Sequence, residues 1–179
     1  MDARIARITK HLKKLSPEGT ARRIVKSCRK EIGLPSTQGR SLLYIRCLMG
    51  KMDEELDEKT RKQIMESCGR QCISKSTIDK AKRLKARSRS LDEFLDLLNR
   101  NHIGGGRLET KGQVISGGYD RCYCGAVSRS KQPISLTYCS CSAGWYRELF
   151  ERTLEKPVEV EALGSIIHGS PKCLFNIHI

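Results

Sequence analysis

Apolar residues recur at intervals of three or four along the first hundred residues, the spacing of one face of an α-helix. Proline and glycine interrupt the pattern after the first predicted helix and again after the second, which Thr20 is placed to cap. An acidic run from Asp53 opens a fourth helix, and Ser76 and Ser90 cap two shorter ones. The apolar positions of the six predicted helices are Ile5, Ile8, Leu12 and Leu15; Ile24, Val25, Cys28 and Ile32; Leu42, Ile45, Leu48, Met49 and Met52; Leu56, Ile64 and Met65; Ile78, Ala81 and Leu84; and Leu91, Phe94, Leu95 and Leu98.

The run His102-Ile-Gly-Gly-Gly106 ends this pattern, and the segments that follow are short and rich in Val, Ile and Tyr. They predict strands at Gln113–Ile115, Tyr119–Cys124 and Ile134–Cys139, a helix at Trp145–Leu154, and a hairpin of Val158–Ile167 with Cys173–Ile179. The sequence therefore predicts an α+β protein. A basic helical region (1–101) precedes a cysteine-rich region (102–179) with an antiparallel sheet, one packed helix and a C-terminal β-hairpin, and the two regions form one compact unit.

The net charge of +14 comes entirely from the first half of the chain. Residues 1–90 carry 24 Lys and Arg against 10 Asp and Glu, and residues 91–179 carry 10 of each, which together give the chain's 34 basic and 20 acidic residues. A basic half can bind nucleic acid or anionic lipid. Because the basic residues lie on the polar sides of amphipathic patterns without interleaved aromatics, solvated helix faces are favoured and nucleic acid is the less favoured partner.

The sequence has no run of 18 apolar residues, and its first segment lacks the apolar stretch of a signal peptide. These features predict a cytoplasmic protein with no membrane partner. In such a protein, nine cysteines favour metal ligation or reactive thiols over disulfides, and the odd count argues against a fully paired framework. Cys28 and Cys47 then fit as small hydrophobic residues within the second and third helices.

Three close pairs of cysteines carry the candidate chemistry. Cys122/Cys124 and Cys139/Cys141 are CxC pairs, and a strand would present both sulfurs of each pair on one face. Cys68/Cys72 is a CxxxC pair, which a helix places on one side, with Gly69 available to loosen the turn. Four thiolates from the two CxC pairs would suit the tetrahedral geometry of zinc, and Arg121 would offset part of their charge.

The six cysteines allow several arrangements: one four-thiolate zinc site with two thiols left over, two sites, or a partly open site that keeps a position for water or substrate. An iron–sulfur cluster is the alternative cofactor. Metal ligation is favoured over inert buried thiols, and over a redox dithiol because the chain has no CxxC of the thioredoxin kind.

About the last 40 residues carry a family pattern: a run from Cys141 that contains the predicted helix Trp145–Leu154, then Pro157-Val-Glu-Val160, His168-Gly-Ser-Pro171 and Cys173-Leu-Phe175. This order resembles the end of the 4-vinyl reductase domain family, small-molecule-binding domains that include hydrocarbon-binding proteins. His168 stands where the family usually has arginine, and Ser165 where many members have cysteine. The resemblance implies a pocket between sheet and helices, with Trp145, Tyr146 and Phe150 as its lining. An alternative is simple packing, because Trp145, Leu149 and Arg152 have the i, i+4, i+7 spacing of any helix that docks on a sheet.

The ending also resembles bacterial hydrolases of the aminothiazoline-carboxylate type, which open a sulfur-containing ring. Three functions remain. The first is a metal-containing small-molecule-binding protein, such as a sensor or a carrier; the second is a hydrolase that uses an open metal site or a reactive Cys68 or Cys72; the third is a zinc-stapled nucleic-acid-binding protein. The ligand is expected to be small and either apolar or sulfur-containing, a homodimer is compatible with the sequence, and catalysis is left open.

Overall fold

The computed structural model describes residues 2–124, 128 and 134–179. Over these residues the α+β class predicted from the sequence is confirmed. The helices are α1 (Ala3–Leu15), α2 (Thr20–Ile32), α3 (Gln38–Glu55), α4 (Glu58–Arg70), α5 (Lys75–Arg87), α6 (Leu91–Arg100) and α7 (Ser140–Leu154). The strands are β1 (Glu109–Lys111), β2 (Val114–Tyr119), β3 (Glu159–Gly164) and β4 (Cys173–His178).

Side-chain caps fix where several helices begin. Ser90 accepts a hydrogen bond from the Glu93 amide at 3.1 Å, which confirms the predicted cap of α6. Three other predicted starts are wrong. Thr20 does not cap α2 but is its first residue, with Gly19 at the N-cap. Helix α4 does not open at Asp53, because α3 continues through Glu55 and Asp57 caps the next helix. Helix α5 is capped by Ser74 rather than Ser76, two residues earlier than predicted.

Apolar side chains form two buried clusters. The first is formed by helices α1, α2, α3 and α4, with Ile134 and Tyr138 packed against them. The second joins α5, α6 and α7 to one face of the sheet. The buried clusters therefore divide after α4, whereas the predicted division at residue 101 follows the change in sequence character. None of the described helices is both long and apolar enough to cross a membrane.

The sheet is antiparallel and has the order β1-β2-β4-β3. The C-terminal hairpin of β3 and β4 is confirmed, with Val160 opposite Ile177. Alternate residues of β4 point into the core, namely Cys173, Phe175 and Ile177. Because β2 and β4 are antiparallel and Tyr119 pairs with Cys173, the start of β4 lies beside the end of β2.

The strands predicted at the two CxC pairs are wrong. Strand β2 ends at Tyr119, so Cys122 and Cys124 lie in the loop beyond it. The predicted strand Ile134–Cys139 is instead a 3₁₀ turn, Leu136–Cys139, that leads directly into α7. Ser135 caps this turn by accepting a hydrogen bond from the Thr137 amide at 3.1 Å. The CxC sulfurs are therefore presented by a loop and by a helix start.

The interpretation of Cys28 and Cys47 as unpaired core residues is also wrong, because they form a disulfide between α2 and α3. The two helices pack side by side, and their Cα atoms at these positions are 5.7 Å apart, within the range that a disulfide spans. Helical periodicity placed both residues on inward faces without showing that the two faces meet.

Candidate functional site

A cavity of about 440 Å³ opens between the start of α7, the end of α4 and the facing ends of β2 and β4. The 3₁₀ turn before α7 and the segment after β3 complete its walls. The described residues that line it are Cys72, His102, Gly104, Gly105, Tyr119, Cys122, Tyr123, Cys124, Tyr138, Cys139, Cys141, Ser142, Trp145, Gly164, Ser165, Ile167, Cys173 and Phe175. We call this cavity the thiol pocket, because six of these residues are cysteines.

Five of the six predicted metal-binding cysteines line the thiol pocket: Cys72, Cys122, Cys124, Cys139 and Cys141. Cys68, the sixth, is 3% exposed in the first core and is not part of the lining. Cys173, a buried residue of the second core, adds a sixth thiol to the lining from the start of β4. The structure thus gathers the two CxC pairs but separates the members of the CxxxC pair.

The thiols contact different partners. Cys124 Sγ lies 2.8 Å from the Tyr138 hydroxyl and accepts a longer contact, 3.8 Å, from Arg4 Nη1. Cys139 Sγ lies 2.9 Å from the Ser165 hydroxyl, and Cys173 Sγ accepts a hydrogen bond from the Ile166 amide at 3.4 Å. Among the described residues, no group of three or more His, Cys, Asp or Glu is arranged to hold a metal ion. The zinc centre, like the alternative iron–sulfur cluster, stays a prediction.

Burial and hydrogen bonding set the protonation of the thiols. Burial raises the pKa of Cys68 to about 12 and that of Cys139 to about 11. Cys72 behaves in the opposite way, because a hydrogen bond from Cys141, assisted by the positive charges of Arg7 and Arg4, lowers its pKa to about 6. The same hydrogen bond raises the pKa of Cys141 well above the usual range, so the shared proton stays on Cys141.

Two glycines explain how Cys72 reaches Cys141. A Cβ atom on Gly69 would lie 1.8 Å from the Cys141 carbonyl oxygen, and a Cβ on Gly144 would lie 2.0 Å from the Glu66 carbonyl oxygen. Helices α4 and α7 therefore touch backbone to backbone, which a larger residue at either position would prevent. Gly69 acts by allowing this approach, not by loosening its own helix as the sequence suggested.

Ion pairs surround the contact between the helices. Arg70 Nη1 lies 2.9 Å from a Glu148 oxygen and 2.7 Å from a Glu151 oxygen. On the opposite helix Arg147 contacts Glu66 at 2.7 Å. These pairs fix the rotation of α7 against α4, so the Cys141 side chain faces the last turn of α4.

Of the three aromatic residues predicted to line a pocket, Trp145 does so. Tyr146 is fully buried and donates a hydrogen bond to the Gly104 carbonyl at 3.0 Å, and Phe150 is fully buried beside it. Both belong to the second core, behind the pocket wall. The other aromatic faces of the pocket come from Tyr119, Tyr123, Tyr138 and Phe175, which lie on segments that the sequence did not connect with one another.

The cation nearest the CxC sulfurs also differs from the one expected. Arg121 lies over the Tyr123 ring, 5.2 Å from its centroid, whereas Arg4 of α1 reaches Cys124. Asp2 holds Arg4 in place through a 2.6 Å ion pair and caps α1 at the same time. No local spacing could show this contact, because 120 residues separate Arg4 from Cys124.

The fold and site define a class: an α+β protein with seven described helices, a four-stranded antiparallel sheet and a thiol-rich aromatic pocket. The chain belongs to a family of unknown function, DUF6144, whose family model matches residues 3–179. A search of curated proteins returned no match. The description of the family names no activity, so the function has to be inferred from the site itself.

Among solved structures, the chain is similar to the crystal structure of the phenol-responsive sensory domain of the transcription activator PoxR with phenol. The two share 14% sequence identity, and the match covers 99% of this chain and 90% of the other, with a TM-score of 0.46.

Proposed function

We propose that this protein binds a small, uncharged, largely apolar molecule in the thiol pocket, as a sensor or a carrier would. The observation behind the proposal is the cavity itself. Its volume of about 440 Å³ lies within the range of small-molecule sites, and several of its walls are aromatic.

The chemistry of the lining indicates the class of ligand. The described lining contains no Asp, Glu, Lys or Arg, and its one thiolate, Cys72, is exposed at the edge, so a charged ligand would lose its hydration with little compensation inside the pocket. The rings of Tyr119, Trp145 and Phe175 offer flat faces that suit a ligand of roughly one or two rings. The neighbouring thiols are soft and weakly polar, which also favours an apolar or sulfur-containing ligand.

Trp145 makes this proposal directly testable, because it is the chain's single tryptophan and lies in the pocket wall. We would titrate the full chain with 4-nitrotoluene, a neutral ring that quenches indole fluorescence. Binding in the pocket should give saturable quenching with a Kd on the order of 0.1–1 mM, as expected for so small a probe.

A matched pair of variants distinguishes binding in the pocket from collisional quenching of the Trp145 fluorescence. Ser142→Phe fills part of the pocket from α7 and should weaken saturable quenching about tenfold or more. Ser76→Phe makes the same change at an exposed position outside the lining and should leave the Kd unchanged. Quenching that rises linearly without saturation in all three proteins would refute a preformed apolar site.

A further inference from the structure

Cys72 and Cys141 lie together at the edge of the thiol pocket, although one belongs to the CxxxC pair and the other to a CxC pair. Cys72 follows the last turn of α4, where its amide donates to the Gly69 carbonyl at 2.9 Å. Gly69 in turn lies against the backbone of Cys141. The approach of the two helices therefore places the two residues side by side, and both line the thiol pocket.

The two thiols differ in access. Cys72 is exposed to solvent, whereas Cys141 is half-buried. An accessible thiol that lies beside a less accessible one has the two positions that a peroxide-reactive pair needs, an attacking sulfur and a resolving sulfur.

We propose that Cys72 and Cys141 are an oxidative modification site, in which hydrogen peroxide converts the two thiols into a disulfide between α4 and α7. The Cys72 thiolate attacks one peroxide oxygen, an S–O bond forms, the O–O bond breaks, and the departing hydroxide takes up a proton to become water. Cys141 Sγ then attacks the sulfur of the Cys72 sulfenic acid. The S–S bond forms, the S–O bond breaks, and the Cys141 proton leaves with the hydroxide as a second water.

The disulfide would have a structural consequence at the pocket. Both sulfurs are part of its lining, so the link would join the end of α4 to the start of α7 across one edge of the cavity. This site needs no bound ligand, and it goes beyond the proposed binding function. Failure of either proposal would leave the other standing.

Peptide mapping tests the link in the full chain. We would oxidise the protein with hydrogen peroxide, block the remaining thiols, and digest it with trypsin without reduction. Cys72 lies in tryptic peptide 71–75, and Cys141 lies with Cys139 in peptide 132–147. The expected product is a cross-link between these peptides, with fragmentation assigning it to Cys141, and it should disappear on reduction.

Three variants separate the two roles. Cys141→Ser keeps a hydrogen-bond donor but cannot form the disulfide, so oxidation should stop at a Cys72 sulfenic acid that dimedone traps. Cys141→Ala lacks the resolving sulfur as well, so its oxidation should stop at the same dimedone-reactive sulfenic acid. Cys139→Ser, two residues away in the same peptide, should keep the cross-link.

The outcomes decide the proposal. Absence of the cross-link in the peroxide-treated wild-type protein would overturn it, and so would a cross-link that survives in Cys141→Ser or is lost in Cys139→Ser. The wild-type result stands alone if a variant fails to fold, and far-ultraviolet circular dichroism identifies such a variant.

Discussion

The contact between α4 and α7 should be unusually sensitive to a single methyl group. In Gly69→Ala the new Cβ would lie 1.8 Å from the Cys141 carbonyl oxygen, whereas ordinary contacts need more than 3 Å, so the helices must separate by more than an ångström. Overpacking of this kind costs about 1–3 kcal/mol or more. The better helix propensity of alanine raises the free energy of unfolding by at most about 1 kcal/mol. We therefore expect a net loss of about 2 kcal/mol in the free energy of unfolding.

Gly50→Ala is the matched control, because Gly50 also lies within a helix but a Cβ there would meet nothing within 4 Å. We expect this variant to gain about 0.5–1 kcal/mol from propensity alone. Urea unfolding followed by circular dichroism measures both values. Gly69→Ala should also slow alkylation of Cys72 at about pH 6, because separation of the helices weakens the hydrogen bond from Cys141 and raises the pKa of Cys72. If Gly69→Ala is as stable as Gly50→Ala, the close approach of α4 and α7 is refuted.

Three other results are expected. Reduction of the Cys28–Cys47 disulfide, whose partners are 19 residues apart, should lower the free energy of unfolding by about 3 kcal/mol in urea titrations; an unchanged midpoint would contradict the disulfide. Asn99→Ala removes two 2.8 Å hydrogen bonds to the Leu108 backbone and should lower the free energy of unfolding by about 2 kcal/mol in the same urea assay. Asn101→Ala removes one hydrogen bond to the Leu97 carbonyl and should lower it by less. If the predicted zinc centre forms, elemental analysis of freshly purified protein should give roughly one or two zinc ions per chain, and metal-free protein with reactive thiols would refute it.

The helices could be predicted because their signals are local. Apolar periodicity and capping residues act within a few positions, and the errors of four residues at α4 and two residues at α5 arose where two candidate caps stand close together. The hairpin of β3 and β4 was equally readable, because β-forming residues flank a turn that contains Gly169.

The start of α7 is a place where secondary structure could not be predicted from the local sequence. Ser142-Ala-Gly144 looks like the end of a loop, and a helix was predicted only from Trp145 onward. The helix in fact begins at Ser140, because the position of Gly144 is decided by contact with Glu66 of α4 and not by helix propensity. The predicted strand Ile134–Cys139, which does not exist, took the place of the turn that leads into these five helical residues.

The same contact explains why the thiols could be predicted as a group but not paired correctly. Close spacing indicated Cys68 with Cys72, yet one turn of helix points Cys68 into the core, where burial raises the pKa of its thiol, and leaves Cys72 at the surface. Cys72 instead lies beside Cys141 of α7, because Gly69 and Gly144 allow the two helix backbones to approach closely. Cysteine spacing therefore identified five of the six cysteines that line this pocket, while the pairing that gives Cys72 its low pKa depends on how closely two helix backbones approach.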